Sequence, residues 1–487
     1  MSEHVQMWID GAWVDAEGGA TFEATSPSTG AVIGTVPEGT RADAQRAIAS
    51  AQRAWPGWSA MSPFDRAAAM RRIAGAIDER RDQLADTLTL DQGKPRKAEA
   101  LDEVEELITY FDMAAADATR MNGLLPPSVD ANKRVLLRRE SRGVVSLISP
   151  WNWPYTMPGE ILAPAIAYGN TVAWAPAPTT SLCAVRLAEC IESADLPAGV
   201  VNMVTGPGPV VGDELAANPG TQTVGFIGSI ATGLHVAQRG AGKELLLEMG
   251  GNGPLVIMDD GDLDKAVEAT LVACFLNAGQ SCTAGERILV HEAVKEEYVA
   301  GLSAAVAERI HLGDPFDDVT TMGPVNNEPT AAKTERHVTE AVERGASVVT
   351  GGSRAPQHGS DLFFEATVLD GVTAEMEIAR EETFGPVVPV SAIRSEQEAV
   401  DLVNGSPYGL LSAIFTADLA RGLRFAEAVR TGWVNVNEGT NYWESHLPFG
   451  GRAGSQSGVG RVGGRYSMER LTELKTIVID LPPAGRG

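Results

Sequence analysis

Residues 144–154 read VVSLISPWNWP. The run Val144–Ile148 is apolar without alternation, the pattern of a strand covered on both faces, as in the parallel sheet of an α/β protein. It ends in Ser149-Pro150-Trp151-Asn152-Trp153-Pro154, where two prolines and two tryptophans bracket one Asn. Open α/β sheets bind ligands at the C-terminal ends of their strands, so this turn is the first candidate for a site. The competing reading is a rigid aromatic turn in which Asn152 caps its own backbone.

Outward from this run the chain keeps alternating. A helix over 157–167, a strand over 171–174, a helix over 180–193 and a strand over 199–204 follow in order. Gly206–Gly212 opens another helix. A strand over 223–227 then runs into Gly228-Ser-Ile-Ala-Thr-Gly233, a GxxxxG turn. Backbone N–H groups at such a helix start can hold phosphate, although the GxGxxG fingerprint is missing. The strand over 244–249 carries one carboxylate, Glu248, in LLLEMGG. A carboxylate among leucines must be paired, capped or functional, because burying it otherwise is costly.

A strand over 255–258 and a helix over 262–277 lead to LNAGQSCTAGE, residues 276–286. Structural cysteines usually sit in apolar surroundings with an inert thiol. Cys282 lies instead on a polar, Gly-rich turn with no core in its neighbourhood of sequence, a setting that suits a reactive thiol. Cys183 and Cys190 share one helix face and Cys274 lies in an apolar helix; all three read as packed.

Beyond Cys282 a second series predicts strands over 287–290, 347–350, 363–369, 411–416 and 432–435, and a further one following Glu381-Glu-Thr-Phe-Gly-Pro. Helices over 292–311, 329–345, 395–403 and 418–429 separate them. Upstream, 8–35 reads as edge hairpins, and helices are expected over 41–57, 62–89 and 96–118, with Pro63 just inside the second and Ser62 as its cap. A glycine-dense loop (448–464) precedes a short helix and a strand over 476–481.

At 487 residues the chain exceeds a single core. Hydrophobic residues make up 44% and charged residues 21%, a globular composition. Asp and Glu outnumber Lys and Arg by 64 to 39, which opposes a nucleic-acid partner. The four cysteines show no CxxC spacing, so no metal site is expected. The start MSEHVQMW lacks the basic and apolar regions of a signal peptide, and no apolar run reaches membrane length. The expectation is a cytoplasmic enzyme with no membrane partner.

PWNWP (150–154), LLLEMGG (245–251), GQSC (279–282) and EETFGPV (381–387) together resemble the signature segments of the NAD(P)-dependent aldehyde dehydrogenase superfamily. Gly450-Gly451, Ser457-Gly458 and Gly460-Arg461 resemble its C-terminal loop, and the likeness runs from about residue 8 to 480. The resemblance implies two Rossmann-like α/β domains, cofactor-binding and catalytic, plus a small β extension for oligomerisation. The boundaries it suggests are 1–120 and 143–250 for NAD(P) binding and 251–440 for catalysis. Residues 121–142 and 466–487 would bridge subunits of a homodimer or homotetramer, and 441–465 would form the loop at the substrate opening.

By the same resemblance Cys282 is the nucleophile, Glu248 the general base and Asn152 the oxyanion-stabilising amide, acting with the Cys282 backbone N–H. The reaction implied is oxidation of a small-molecule aldehyde to its acid through a cysteine thiohemiacetal and thioester. The Cys282 pKa is expected to be lowered by local N–H dipoles and the positive nicotinamide. Ser149, Pro150, Trp151, Ala175, Pro178, Gly212, Gly228, Ser229, Gly233, Met249, Gly250, Glu382 and Phe384 correspond to cofactor positions. Trp153, Tyr155, Gln280, Trp443 and Phe449 are candidates for substrate contact, and His446 lies near them.

Two departures stand out. The family usually carries Lys and Glu where this chain has Ala175 and Pro178. Losing the Glu removes an obstacle to a 2′-phosphate and losing the Lys removes an attraction for it. NAD is expected, with NADP possible. The C-terminal RAGSQSG also departs from the family form, and the aromatic residues suggest an aromatic or medium-chain aldehyde over a small charged one. The rival within the superfamily is a CoA-acylating enzyme, which Glu248 opposes. A silent structural protein on the same fold would have lost Cys282, Glu248 and Asn152.

Overall fold

A computed structural model describes residues 3–481, so the outermost parts of the ranges 1–120 and 466–487 lie outside the described residues. The chain opens with β1 (Glu3–His4), β2 (Met7–Ile9), β3 (Ala12–Val14), β4 (Thr21–Thr25) and β5 (Val32–Pro37). Four helices follow before β6 (Lys133–Ser141), β7 (Val144–Ile148), β8 (Thr171–Ala175), β9 (Val201–Met203), β10 (Thr223–Gly228) and β11 (Glu244–Met249). A second run comprises β12 (Pro254–Ile257), β13 (Arg287–His291), β14 (Ser347–Thr350), β15 (Thr367–Asp370), β16 (Val387–Ile393), β17 (Leu411–Phe415) and β18 (Trp433–Val436). Last come β19 (Gly458–Val459) and β20 (Thr472–Asp480).

The apolar run that suggested a parallel strand is the interior strand β7, paired in parallel with β8 on one side and β10 on the other. The eight-stranded order is β19-β11-β10-β7-β8-β9-β2-β3. The chain runs outward from β7 through β8 to β9, then returns to lay β10 on the other flank of β7. That reversal makes a topological switch point between the C-terminal ends of β7 and β10, where helices on opposite faces leave a crevice. The expected edge hairpin is β2–β3, while β4 and β5 join β1 in a separate three-stranded sheet.

A seven-stranded sheet, β14-β15-β16-β13-β12-β17-β18, is parallel except at β14. Its core includes Leu255, Ile257, Phe275, Val290, Val388 and Phe415. The first sheet packs Val145 and Leu147 against Leu107, Ile161 and Ile166 of the helices Leu101–Ala118 and Thr156–Ala167. The fold is therefore two Rossmann-like α/β layers plus a two-stranded extension, β20 paired with β6 over nine residues. Most of β20 is exposed, including Leu474 and Val478.

Several element boundaries differ from the sequence reading. The helix expected over 62–89 breaks at Arg80 into Pro63–Glu79 and Arg81–Gln92; Ser62 caps the first, and the second ends at a left-handed Gly93 (φ 102°). The segment 96–118 begins with a π-turn, Arg96–Ala100. The strand expected over 363–369 joins the ladder only at Thr367, because Phe364 instead bridges to Arg354. The last strand starts four residues early, at Thr472, since its register with β6 continues to Ser141.

Candidate active site

The C-terminal ends of the first sheet's strands face the loops that enter the second sheet. β7 delivers Asn152, β10 delivers Ser229 and β11 delivers Glu248. The loops before β12, β13 and β16 supply Gly251, Cys282 and Glu382 respectively.

Cys282 follows a turn in which Asn277, Ala278 and Gly279 all have left-handed backbone (φ 53°, 52° and 75°). Such a run costs energy unless its surroundings hold it. Here Glu99 accepts the Asn277 N–H with both oxygens (3.1 and 3.0 Å), and Gln92 Nε2 donates to Asn277 Oδ1 at 2.8 Å. Asn277 Nδ2 in turn donates to the carbonyls of Asn152 (2.8 Å) and Gln280 (3.2 Å). Gly279 is required for close approach, since a Cβ would sit 2.1 Å from the Gly385 carbonyl oxygen.

Asn152 is buried, and its Nδ2 donates one hydrogen to the Gln280 carbonyl at 3.0 Å. An amide nitrogen carries two hydrogens, so one remains for a ligand beside Cys282. Glu248 is 4% exposed, with no hydrogen-bond partner at Oε1. Burial pushes its pKa well up, and the neighbouring Glu160 and Glu382 add to the rise; contact with the Cys282 thiol opposes it.

The Cys282 thiol is also pushed well up, first by burial and then by Glu248, Glu382 and Glu160. The expected lowering, which counts on a bound nicotinamide, is not supplied by the chain's own residues. Cys282 packs on the main core of the first sheet, which the polar sequence around it conceals. The chain by itself keeps the thiol neutral, with the Glu248 carboxyl as its neighbour. Cys183, Cys190 and Cys274 are buried, as expected of packed cysteines.

The dinucleotide positions group around the switch point. Ser229 caps the helix Ile230–Arg239, its Oγ accepting the Thr232 N–H at 3.4 Å. Gly233 lets that helix lie directly on Met249, whose Sδ would be 2.1 Å from a Cβ there, and Gly228 lies against the Phe226 ring. Gly212 packs on Ile148, and Ser149 Oγ accepts from Trp174 Nε1 at 2.8 Å. Ala175 is buried and Pro178 exposed. Arg41, His235 and Arg239, the cations near the Gly212 turn, are all engaged with Asp213 or Glu214.

Trp151, which follows Pro150, meets Phe384 edge-to-face at 5.6 Å. Phe384 is itself left-handed (φ 61°), held by Glu286, which accepts the N–H groups of Thr383 and Phe384 at 2.8 Å each. Glu382 accepts the Gly251 N–H at 2.9 Å, and a Cβ at Gly250 would fall 2.6 Å from its Oε2. Burial, reinforced by Glu286, raises Glu382 to about 8. A capped helix start at a switch point, glycines against the carboxylate and an aromatic pair at its mouth fit a dinucleotide.

Trp153, Trp443 and Phe449 line a pocket that reaches Cys282. Two sequence candidates do not. Tyr155 is fully buried, its hydroxyl donating to the Leu84 carbonyl at 3.1 Å. Gln280 is spent on the loop: its Nε2 donates to Asn277 O and its Oε1 accepts Asn326 N–H, both at 2.8 Å. Their partners lie 71 and 46 residues away in sequence, beyond what local pattern can reveal. His446 is exposed beside Glu444.

The structure adds pocket residues that the sequence reading passed over, Glu106, Met157, Glu160 and Leu276 among them. Beneath Trp153 lies a fully buried ion pair, Lys94–Glu103, with Lys94 Nζ 3.2 Å from the ring centroid. Glu103 also accepts the N–H groups of Tyr155 (3.0 Å) and Thr156 (3.3 Å) at the start of their helix. Glu160 carried the same signal as Glu248, a single carboxylate in an apolar segment, TMPGEILAPAIA.

The fold and this cleft define an α/β oxidoreductase with a dinucleotide crevice. The Aldehyde dehydrogenase family profile matches residues 13–477. A 3-sulfolactaldehyde dehydrogenase of Pseudomonas putida is 38% identical, over 97% of this chain and 96% of its own length. An NADP(+) succinate-semialdehyde dehydrogenase of Escherichia coli is 37% identical over 98% of both chains. The crystal structure of a Staphylococcus aureus betaine aldehyde dehydrogenase in complex with NAD+ superposes with a TM-score of 0.94 at 35% identity, covering 98% of this chain and 95% of that one. The chain belongs to the aldehyde dehydrogenase family. It is an enzyme that oxidises an aldehyde with NAD(P)+.

Proposed function

We propose that the chain oxidises an aldehyde to its carboxylic acid, with Cys282 as nucleophile, Glu248 as general base and Asn152 as oxyanion donor. The observation that carries this reading is the Cys282 thiol held against a buried, unpartnered carboxyl. Glu248 takes the thiol proton as Sγ attacks the aldehyde carbon. The alkoxide of the thiohemiacetal meets the free hydrogen of Asn152 Nδ2 and the Cys282 backbone N–H, which has no acceptor among the described residues. One such donor is worth about 3–4 kcal/mol. Bound in the crevice, NAD(P)+ supplies the hydride acceptor. Glu248, having released that proton to solvent, then takes a proton from water as it attacks the thioester; the Cys282 thiolate leaves and acid is released without CoA.

The β7–β10 crevice, Ser229, Glu382 and Phe384 would hold the cofactor, the second sheet carries the nucleophile, and the β6–β20 ribbon serves subunit assembly. NAD is the preferred cofactor, since neither Ala175 nor Pro178 offers a charge and the cations near Gly212 are already paired. The pocket walls, Trp153, Trp443 and Phe449, suit an aldehyde with an apolar or aryl body. Two relatives are named for aldehydes bearing an anionic group, but no Lys or Arg lines this pocket among the described residues.

The test is Cys282→Ala, assayed for cofactor reduction with a panel of aldehydes and both cofactors. Activity should vanish while cofactor binding persists; surviving oxidation would remove Cys282 from the role. A preference for NADP of tenfold or more in the parent enzyme would overturn the cofactor assignment.

A further inference from the structure

Resting on that reading, we propose that the pocket selects aldehydes whose far end carries a positively charged nitrogen, ammonium or quaternary ammonium, held by Glu160 and Glu106 between the rings of Trp153 and Trp443.

Glu160 lies in the pocket wall on the apolar helix Thr156–Ala167, 2% exposed, and its Oε1 has no hydrogen-bond partner. The Tyr110 hydroxyl beside it is the one donor the chain brings close, and a carboxylate has room for more, so a cation in the pocket would find acceptor capacity there. Glu106, half-buried on the helix Leu101–Ala118, lines the same pocket and raises the pKa of Glu160. Each carboxyl stands at about 8, chiefly through burial. Neighbouring carboxyls that resist ionising together gain both negative charges when a fixed positive charge enters.

The remaining wall suits the same ligand. Tryptophan faces attract cations through the ring quadrupole, including quaternary ones that cannot donate a hydrogen bond. Lys94 covers one face of Trp153 and is itself only 1% exposed, so the other face is the one turned to the pocket. Leu276 and Met157 complete an apolar lining around the charge. An anionic tail would meet two carboxyls, and the one ammonium nearby, Lys94, is already paired with Glu103 behind the Trp153 ring.

The experiment compares two aldehydes of matched shape, trimethylammonioacetaldehyde and 3,3-dimethylbutanal, with succinate semialdehyde as the anionic counterpart. The expected order of kcat/KM is cation, neutral isostere, anion, with the first two separated on the order of 10- to 100-fold. Glu160→Gln and Glu106→Gln should each move the cation-to-neutral ratio toward one. Glu106 is half-buried, so its variant keeps the test open if Glu160→Gln does not fold. Equal or better use of the neutral isostere, or a ratio unmoved in both variants, overturns the inference while leaving the oxidation chemistry standing. Failure to oxidise any of the three aldehydes would overturn both.

Discussion

Gly251→Ala isolates the positioning of Cys282, the proposed nucleophile. Gly251 has no left-handed backbone, so alanine meets no conformational penalty there and the effect is steric. Its Cβ would stand 2.3 Å from the Cys282 carbonyl oxygen and 3.4 Å from the carbonyl carbon. Ordinary contact requires the Cys282 backbone to retreat by roughly 1 Å, a displacement that typically lowers a rate about 100-fold. Overpacking of this kind also costs about 1–3 kcal/mol. Gly250→Ala is the control, because its Cβ meets only the carboxylate end of Glu382, 2.6 Å away. Steady-state kinetics at saturating cofactor and a melting curve read both effects. Gly251→Ala should lose kcat with a modest fall in Tm, whereas Gly250→Ala should mainly raise the cofactor KM. A Gly251→Ala enzyme with parental kcat and Tm would refute the claim that this glycine sets the place of Cys282.

In Glu248→Gln, slowed thioester hydrolysis should cut steady-state turnover by about 10²–10⁴-fold. Because Glu248 also takes the thiol proton in the proposed mechanism, rapid mixing should show no fast burst of cofactor reduction in the variant. Because burial raises the Glu248 pKa, the base is disabled below that pKa; kcat in the parent should climb with pH above the ordinary carboxylate range, and the climb should vanish in the variant. Lys94→Met leaves the Glu103 carboxylate buried without its partner and should destabilise the fold by about 3–5 kcal/mol, seen as a lowered denaturation midpoint. Adding Glu103→Gln should restore part of that loss.

Much of this was legible because the chemistry is written locally. The unbroken apolar run of β7, the lone carboxylate of LLLEMGG and the Gly-rich turn before Cys282 each depend on neighbours within a few residues. What escaped depends on partners far along the chain. Gln280 looked free for substrate because Asn326 is 46 residues away, and Tyr155 looked like a tunnel wall because Leu84 lies 71 residues upstream. The polar residues around Cys282 concealed the core beneath the thiol. Glu160 could have been found by the rule applied to Glu248, since it too is a single carboxylate in an apolar segment.

The short pairing of Gly458 with Glu248 has a consequence for how the enzyme is made. A Cβ at Gly458 would come 2.1 Å from the Leu247 carbonyl oxygen, so two backbones meet there without a side chain between them. The same sheet takes its opposite edge from Ala12–Val14. A nascent chain can form the interior strands in order as they emerge. The strand holding Glu248, the proposed general base, nevertheless gains its outer neighbour only from a loop about 210 residues further along, so a ribosome-bound chain lacking that loop carries the thiol and the carboxyl on an unfinished edge.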